Sequence, residues 1–312
     1  MPSEPYLQKL TAQIVDGVDR LPASFRHRHS AWLAANQNPD GGFSGREGGS
    51  DLYYTGFALR GLAVLQGLTP TLCEKAGDFL RLKLKESASV IDLFSWLVGA
   101  SLVKLGGTDL FADAPADWRD RVAETLEGFR SADGGYAREP HCGQGSTYLS
   151  FLVALAFELL DRPTPRQREL VEFVLSRHRP DGGYVEISAM KRCGTNPTAA
   201  GLGILQIADS LSGELRLKAI AFLSGLVSEF EGGYRANDRI PTADLLSTFT
   251  ATWSLAQLDA GDSIRTADVV AFAQSLESPT GGFRGGLWDS VLDVEYTFYG
   301  IGVMGLFAPV AN

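Results

Sequence analysis

Two kinds of apolar stretch alternate along the chain. One kind is amphipathic at helical spacing, as in residues 166–177 and 217–230. The other is apolar nearly all round, as in residues 52–66, 93–105, 148–160, 199–208, 245–258 and 294–307. A helix apolar on every side is buried on every side, and an amphipathic one lies at the surface. The pattern therefore predicts helix pairs, one member outside and one inside. Polar turns join the members of each pair. Five of these turns carry two glycines and then an aromatic residue: Gly41-Gly42-Phe43, Gly134-Gly135-Tyr136, Gly182-Gly183-Tyr184, Gly232-Gly233-Tyr234 and Gly281-Gly282-Phe283. The last three steps between them are 48, 50 and 49 residues, and the first is 93, close to twice that. A degenerate unit is expected near residue 87, where Glu86 to Trp96 lacks the glycines but leads into an apolar run. A loop of about ten residues follows each turn and ends on Asp, Ser, Thr or Asn, good helix N-caps.

Six units of about 49 residues, spanning roughly residues 31 to 307, read as a repeat architecture. An open solenoid and a closed ring both satisfy the pattern. The last inner stretch, 294–307, has no extra polar face of the kind a solenoid cap needs, which favours closure. The expected fold is all-α, an (α/α)6 toroid with a central apolar cavity, and one domain over residues 1–312.

Composition changes the picture in three ways. Of the 35 glycines, ten sit in the five turns, so much of the glycine excess punctuates a repeat. With 28 Lys and Arg against 37 Asp and Glu the formal charge is −9, which argues against nucleic-acid or anionic-membrane partners. Cys73, Cys142 and Cys193 are too few for a disulfide framework. The first 21 residues lack an export-signal pattern, and no apolar run approaches the ~20 residues of a membrane span. A soluble, cytoplasmic protein is expected.

The stretch Asn38-Pro39-Asp40-Gly41-Gly42-Phe43-Ser44-Gly45, followed by residues 49–62, resembles the repeat of protein prenyltransferase β subunits. Squalene and hopene cyclases share a related repeat. The segments from Gln37, Asp181 and Phe272 into their Gly-Gly turns resemble degenerate copies. The resemblance implies an (α/α)6 barrel whose cavity holds an isoprenoid, with zinc at the mouth. The zinc pattern is broken here. The family's Asp-x-Cys reads Asp244-Leu245-Leu246, and its sixth-repeat His position holds Tyr296, three after Asp293. Leucine is no ligand and neutral tyrosine is a poor one. Zinc is not expected, and no other cofactor is. A Mg2+ ion is compatible with a diphosphate substrate. His141, Cys142 and Cys193 lie in the loops, but adjacent His-Cys is not a zinc spacing.

Aromatic residues on the inner stretches, Tyr53, Phe57, Trp96, Tyr148, Trp253 and Tyr299 among them, either fill a core or line a cavity. We read the group as a cavity lining, suited to an isoprenoid chain and to a carbocation. Lys191, Arg192, Arg235 and Arg239 precede inner helices four and five, where the resemblance implies diphosphate binding. Asp51, Asp92, Asp244 and Asp293 start inner helices and act as N-caps. Asp244 and Asp293 also fall where the resemblance implies chemistry, with Glu295 and Tyr296 beside the latter. A carboxyl in an apolar cavity has a raised pKa and can protonate an alkene. The Asp-x-Asp-Asp motif of the protonating cyclases is absent.

The leading expectation is an isoprenoid-binding enzyme, prenyltransferase- or terpene-cyclase-like, acting on a prenyl diphosphate or polyprenyl chain. The alternative is a non-catalytic toroid that binds a lipid or a partner protein. The resemblance also implies a helical partner subunit or a homodimer. Zinc-dependent prenylation with relocated ligands is the third reading.

Overall fold

A computed structural model describes residues 4–84, 89–140 and 142–308. The start of the degenerate second unit, Glu86 to Ala88, and His141 lie outside the described residues. Among the described residues, twelve helices form pairs. The outer members are α2 (Ala23–Ala35), α4 (Pro70–Lys83), α6 (Trp118–Glu127), α8 (Gln167–Arg177), α10 (Gly213–Ser224) and α12 (Thr266–Leu276). The inner members are α3 (Leu52–Val64), α5 (Val90–Leu105), α7 (Thr147–Leu159), α9 (Thr195–Ile207), α11 (Leu245–Gln257) and α13 (Val294–Leu306). A further helix, α1 (Tyr6–Arg20), precedes the repeats and was not expected. Among the described residues no helix is long and apolar enough to cross a membrane.

Boundaries differ from expectation where a cap decides them. Helix α10 starts at Gly213, not Leu217, because the Ser212 hydroxyl accepts from the Leu215 N–H. It stops at Gly225, which leaves Phe230 in the turn and fully exposed. Asp92 is not an N-cap. Ser89 caps α5, and its hydroxyl both accepts from the Asp92 N–H and donates to the Asp92 carboxylate at 2.7 Å. Asp51, Asp244 and Asp293 do cap α3, α11 and α13.

Each Gly-Gly turn opens a short hairpin that closes at the next N-cap. In the sixth repeat it is regular: β1 (Phe283–Arg284) pairs antiparallel with β2 (Leu292–Asp293). Single bridges such as Phe43 with Asp51 and Tyr184 with Gly194 do the same elsewhere. One hydroxyl locks each hairpin to its helix. The N–H of the turn's aromatic residue donates to Thr55, Ser150, Thr198, Thr248 or Thr297, at 2.9 to 3.0 Å. That hydroxyl stands four residues after the N-cap in all five cases. In α5, which follows no Gly-Gly turn, the position is Leu93.

The chain divides into two compact units. The middle unit holds Met1–Leu7 and Asp117–Phe272, and the terminal unit holds residues 8–116 and 273–312. In the middle unit α9 stands between α7 and α11, with α8 and α10 on their outer side. In the terminal unit α3 stands between α13 and α5, with α2 and α4 outside.

The terminal unit contains the seam that ring closure requires. In the first repeat a β-carbon on Gly42 would press on Phe79 of α4, the next outer helix. In the sixth repeat the same place on Gly282 faces Trp32 of α2, the first outer helix. Gly281 has φ +99°, and a β-carbon there would lie 2.6 Å from the Arg28 carbonyl oxygen. Turn six thus docks on helix pair one as turn one docks on pair two. Helix α13 correspondingly packs on α3. An open solenoid would leave both surfaces bare.

Candidate functional site

In the terminal unit, α3 and α13 present one aromatic and acidic wall. Tyr53, Phe57 and Arg60 recur at helical spacing on α3 and share a face. Opposite stand Glu295, Phe298 and Tyr299 of α13. Phe57 lies 5.6 Å from Phe298 and 5.3 Å from Tyr299, ring centre to ring centre. The Tyr53 hydroxyl donates to Glu295 at 2.7 Å. Arg60 lays its guanidinium 4.1 Å above the Phe298 ring and 5.3 Å above Phe57. These ring faces therefore already attract a cation.

Beside the wall, the first-repeat loop reaches the sixth. Arg46 donates to Asp293 at 2.8 Å and to Asp289, and its guanidinium lies 5.4 Å above the Tyr296 ring. Both carboxylates are buried, at 5 % and 6 % exposed. Burial opposes ionisation of Asp289, but the Val291 N–H and Arg46 hold its carboxyl below the usual range. The structure thus brings Asp293, Glu295, Tyr296, Tyr53, Phe57 and Tyr299 into one region. Trp96 is placed otherwise. Its indole N–H donates to the Leu80 carbonyl of the outer helix α4 at 2.9 Å, and its ring meets Phe111. That places Trp96, expected to contact substrate, as an anchor between layers.

The remaining expected residues lie in the middle unit. Asp244 caps α11, accepting from the Ser247 N–H and hydroxyl at 2.7 and 2.8 Å, and burial raises its carboxyl. Tyr148 stands in the first turn of α7, its N–H donating to Glu186 at 3.3 Å. Trp253 is buried and donates to the Tyr6 hydroxyl at 2.8 Å. Lys191 and Arg239 are exposed in their loops. Arg192 is paired with Asp238. Arg235 turns back to the carbonyls of Leu226 and Gly225, at 3.3 and 3.2 Å, at the end of α10. Arg192 and Arg235, expected to bind a diphosphate, thus stand on a carboxylate and on backbone carbonyls.

The residues present do not fit the zinc that the resemblance implied. Asp244 is held by Ser247 and followed by leucines, and Asp293 is held by a guanidinium. Among the described residues no thiolate or imidazole completes either set, and zinc needs three or four such ligands. Cys193 is buried and donates to Asp181 at 3.2 Å; burial, with that carboxylate, pushes its thiol up to about 12. Cys142 is exposed, its thiol 3.6 Å from the Gln144 carbonyl.

Sequence reasoning missed Arg46, Arg60, Asp289 and Tyr6. Arg60 carried a signal, as the only charge within apolar α3. Arg46 and Asp289 carried none, because nothing in a glycine-rich loop names its partner 243 residues away.

The family described as "Prenyltransferase alpha-alpha toroid domain" matches residues 11–189, 84–225 and 197–311. A protein geranylgeranyltransferase-I from Candida albicans, complexed with GGPP, superposes with TM-score 0.69 at 14 % identity, over 88 % of this chain and 89 % of that one. A type II terpene cyclase from Scytonema, in complex with geranylgeranyl dihydroxybenzoate, gives 0.63 at 14 %, over 97 % and 99 %. An alpha-1,6-mannanase from Salegentibacter, in complex with alpha-1,6-mannotriose, gives 0.65 at 12 %, over 92 % and 98 %. No curated protein matches. At such identities the likeness shows the fold, and this fold serves a glycosidase as well as isoprenoid enzymes. The fold is all-α, and the chain belongs to the prenyltransferase alpha-alpha toroid domain family.

Proposed function

We propose that the protein is an isoprenoid-binding enzyme that acts on a polyprenyl chain through a carbocation. The observation that carries this reading is the α3–α13 wall, where Tyr299 stands edge-on to Phe57 and Phe298, and these two rings pack at a tilt, beside Glu295. An apolar chain gains by burial along such a wall. A positive charge developing on it meets ring faces of the kind Arg60 occupies. Glu295, held by the Tyr53 hydroxyl, is placed to accept the proton that ends such a cation.

The basic residues favour an uncharged chain over a prenyl diphosphate. Arg46, Arg192 and Arg235 are each committed to carboxylates or carbonyls. A diphosphate needs several free donors at once. Incubation with polyprenyl hydrocarbons and alcohols, and with farnesyl and geranylgeranyl diphosphate, tests the proposal by mass-spectrometric product analysis. A rearranged or cyclised chain is expected, insensitive to EDTA. Glu295→Gln should lower its formation by roughly 100-fold. No binding and no product with any chain would sink the reading.

The Arg46–Asp293 pair favours a second reading, since a carboxylate tied to a guanidinium is a poor proton acceptor. On that reading the domain binds a lipid or a partner protein without chemistry. Saturable binding with no product would select it.

A further inference from the structure

The first glycine of each Gly-Gly turn lies against a backbone carbonyl of an outer helix: Gly41 on Lys75, Gly134 on Glu169, Gly182 on Lys218, Gly232 on Asp268 and Gly281 on Arg28. The residue one further along that helix is buried in all five cases. It is Ala76, Leu170, Ala219 or Val269 in four of them, and at the seam it is His29, 0 % exposed. A polar ring thus stands at one of five equivalent places where the other four are aliphatic.

The turn that His29 faces also differs. Turns one and four read Pro39-Asp40-Gly41-Gly42 and Pro180-Asp181-Gly182-Gly183, and the N–H of the second glycine donates to the aspartate at 3.0 and 3.2 Å. Turn six reads Pro279-Thr280-Gly281-Gly282 and lacks that aspartate. Its Gly282 N–H donates instead to His29 Nδ1, at 3.1 Å. Gly282 is also the only second glycine of the five with a positive φ, +86°. A bond made inside the turn elsewhere is made across the seam here.

That bond fixes the state of the imidazole. Nδ1 accepts, so the ring is neutral and carries its hydrogen on Nε2, which donates to Glu277 at 3.0 Å. Arg28 donates to the same carboxylate oxygen. Phe283 stacks on the imidazole at 4.9 Å between ring centres, and Phe25 lies at 4.4 Å. Among the described residues the charged groups around the ring are Glu277, from the segment after α12, and Arg28, from α2 itself. An imidazolium carries a hydrogen on both nitrogens. Its Nδ1–H would meet the Gly282 N–H donor against donor, while Glu277 kept hold of Nε2.

We propose that this seam is an acid-released latch, in which neutral His29 holds turn six on α2 and protonation of the ring lets the turn go. Opening frees Nδ1 to take up a proton, so it is favoured as pH falls through the range where imidazoles titrate, about pH 8 to 5. Glu277 does not share that range. Burial opposes its ionisation, but His29 and Arg28 hold its carboxyl below the usual value. Hairpin six starts at this turn and leads to Asp289 and Asp293, the partners of Arg46, so release loosens the acidic side of the α3–α13 wall. The latch stands on the seam alone and is independent of the isoprenoid reading.

The test is amide hydrogen exchange of Gly282 in the full chain, read by NMR and corrected for the intrinsic rate at each pH. Its protection should fall on the order of tenfold between about pH 7.5 and about pH 5.5. Gly183, held within its own turn by Asp181, should not change. Thr280→Asp, at an exposed position, supplies the acceptor that turns one and four carry and should abolish the loss. His29→Val combined with Thr280→Asp should be equally insensitive to pH. Equal protection of Gly282 at both pH values in the wild type overturns the latch, and so does an undiminished loss in either variant. Should the double variant lose its cooperative melt, Thr280→Asp alone decides.

Discussion

At Asp289 two forces oppose each other. Burial favours the neutral carboxyl, while the Val291 N–H and the Arg46 guanidinium favour the carboxylate, and the carboxylate wins. A carboxyl depressed in the folded state stabilises the fold above its unfolded pKa, near about 4. That contribution is lost as pH falls through the folded value. Urea melts at stepped pH should therefore show stability falling on acidification below about pH 5, and Asp289→Asn should flatten that limb. An identical slope in the variant would remove this pair from the acid response. Arg46→Met leaves Asp289 and Asp293 buried without their cation. Breaking a buried pair costs ~3–5 kcal/mol, and because Arg46 is a third open to solvent we expect about 2 kcal/mol. Adding Asp289→Asn to Arg46→Met should recover part of it.

Helices and turns in this chain are joined by two small devices. The first is the hydroxyl four residues past the N-cap of the five inner helices that follow a Gly-Gly turn. Thr198→Val keeps the shape but leaves the Tyr184 N–H, in a buried bond of 2.9 Å, without an acceptor. The expected loss is about 1–3 kcal/mol in a denaturant melt. The second device is the positive-φ glycine. Gly281→Ala should lower the melting temperature by several degrees, since the β-carbon meets the Arg28 carbonyl at the seam. Gly213→Ala, in open space at the start of α10, should leave it unchanged. Equal effects would show that the seam is not under steric constraint. The spacing of the Gly-Gly turns and the all-apolar stretches made the helix pairs legible. Helix α1 was not legible, because its apolar face is narrow and its dock on α13 is backbone against backbone, at Gly17 and Gly305. The wall residues on α3 and α13 could be named from their helices. Their engagement with Arg46 could not, since a loop arginine takes whichever carboxylate the tertiary fold brings to it.

For the whole molecule, the proposed reading raises the question of which kind of isoprenoid would bind, and net charge bears on the answer. A net charge of −9 sets up a field that disfavours an approaching diphosphate and leaves an alcohol or hydrocarbon indifferent. Local basic groups can reverse this only where they are not already matched. Arg192 is balanced by Asp238, and Arg46 faces two carboxylates, so neither adds a net positive charge. Lys191 and Arg239 remain exposed in the middle unit to pull the other way. Salt separates the two effects, because the screening length shortens from ~30 Å at 0.01 M to ~10 Å at 0.1 M. If the net charge dominates, farnesyl diphosphate should bind more tightly as salt rises over that range, while farnesol shows no change. Tighter diphosphate binding at low salt would mean that Lys191 and Arg239 outweigh the net charge. Charge-reversing Lys191→Glu and Arg239→Glu would then abolish that gain, and the substrate assignment would return to a prenyl diphosphate.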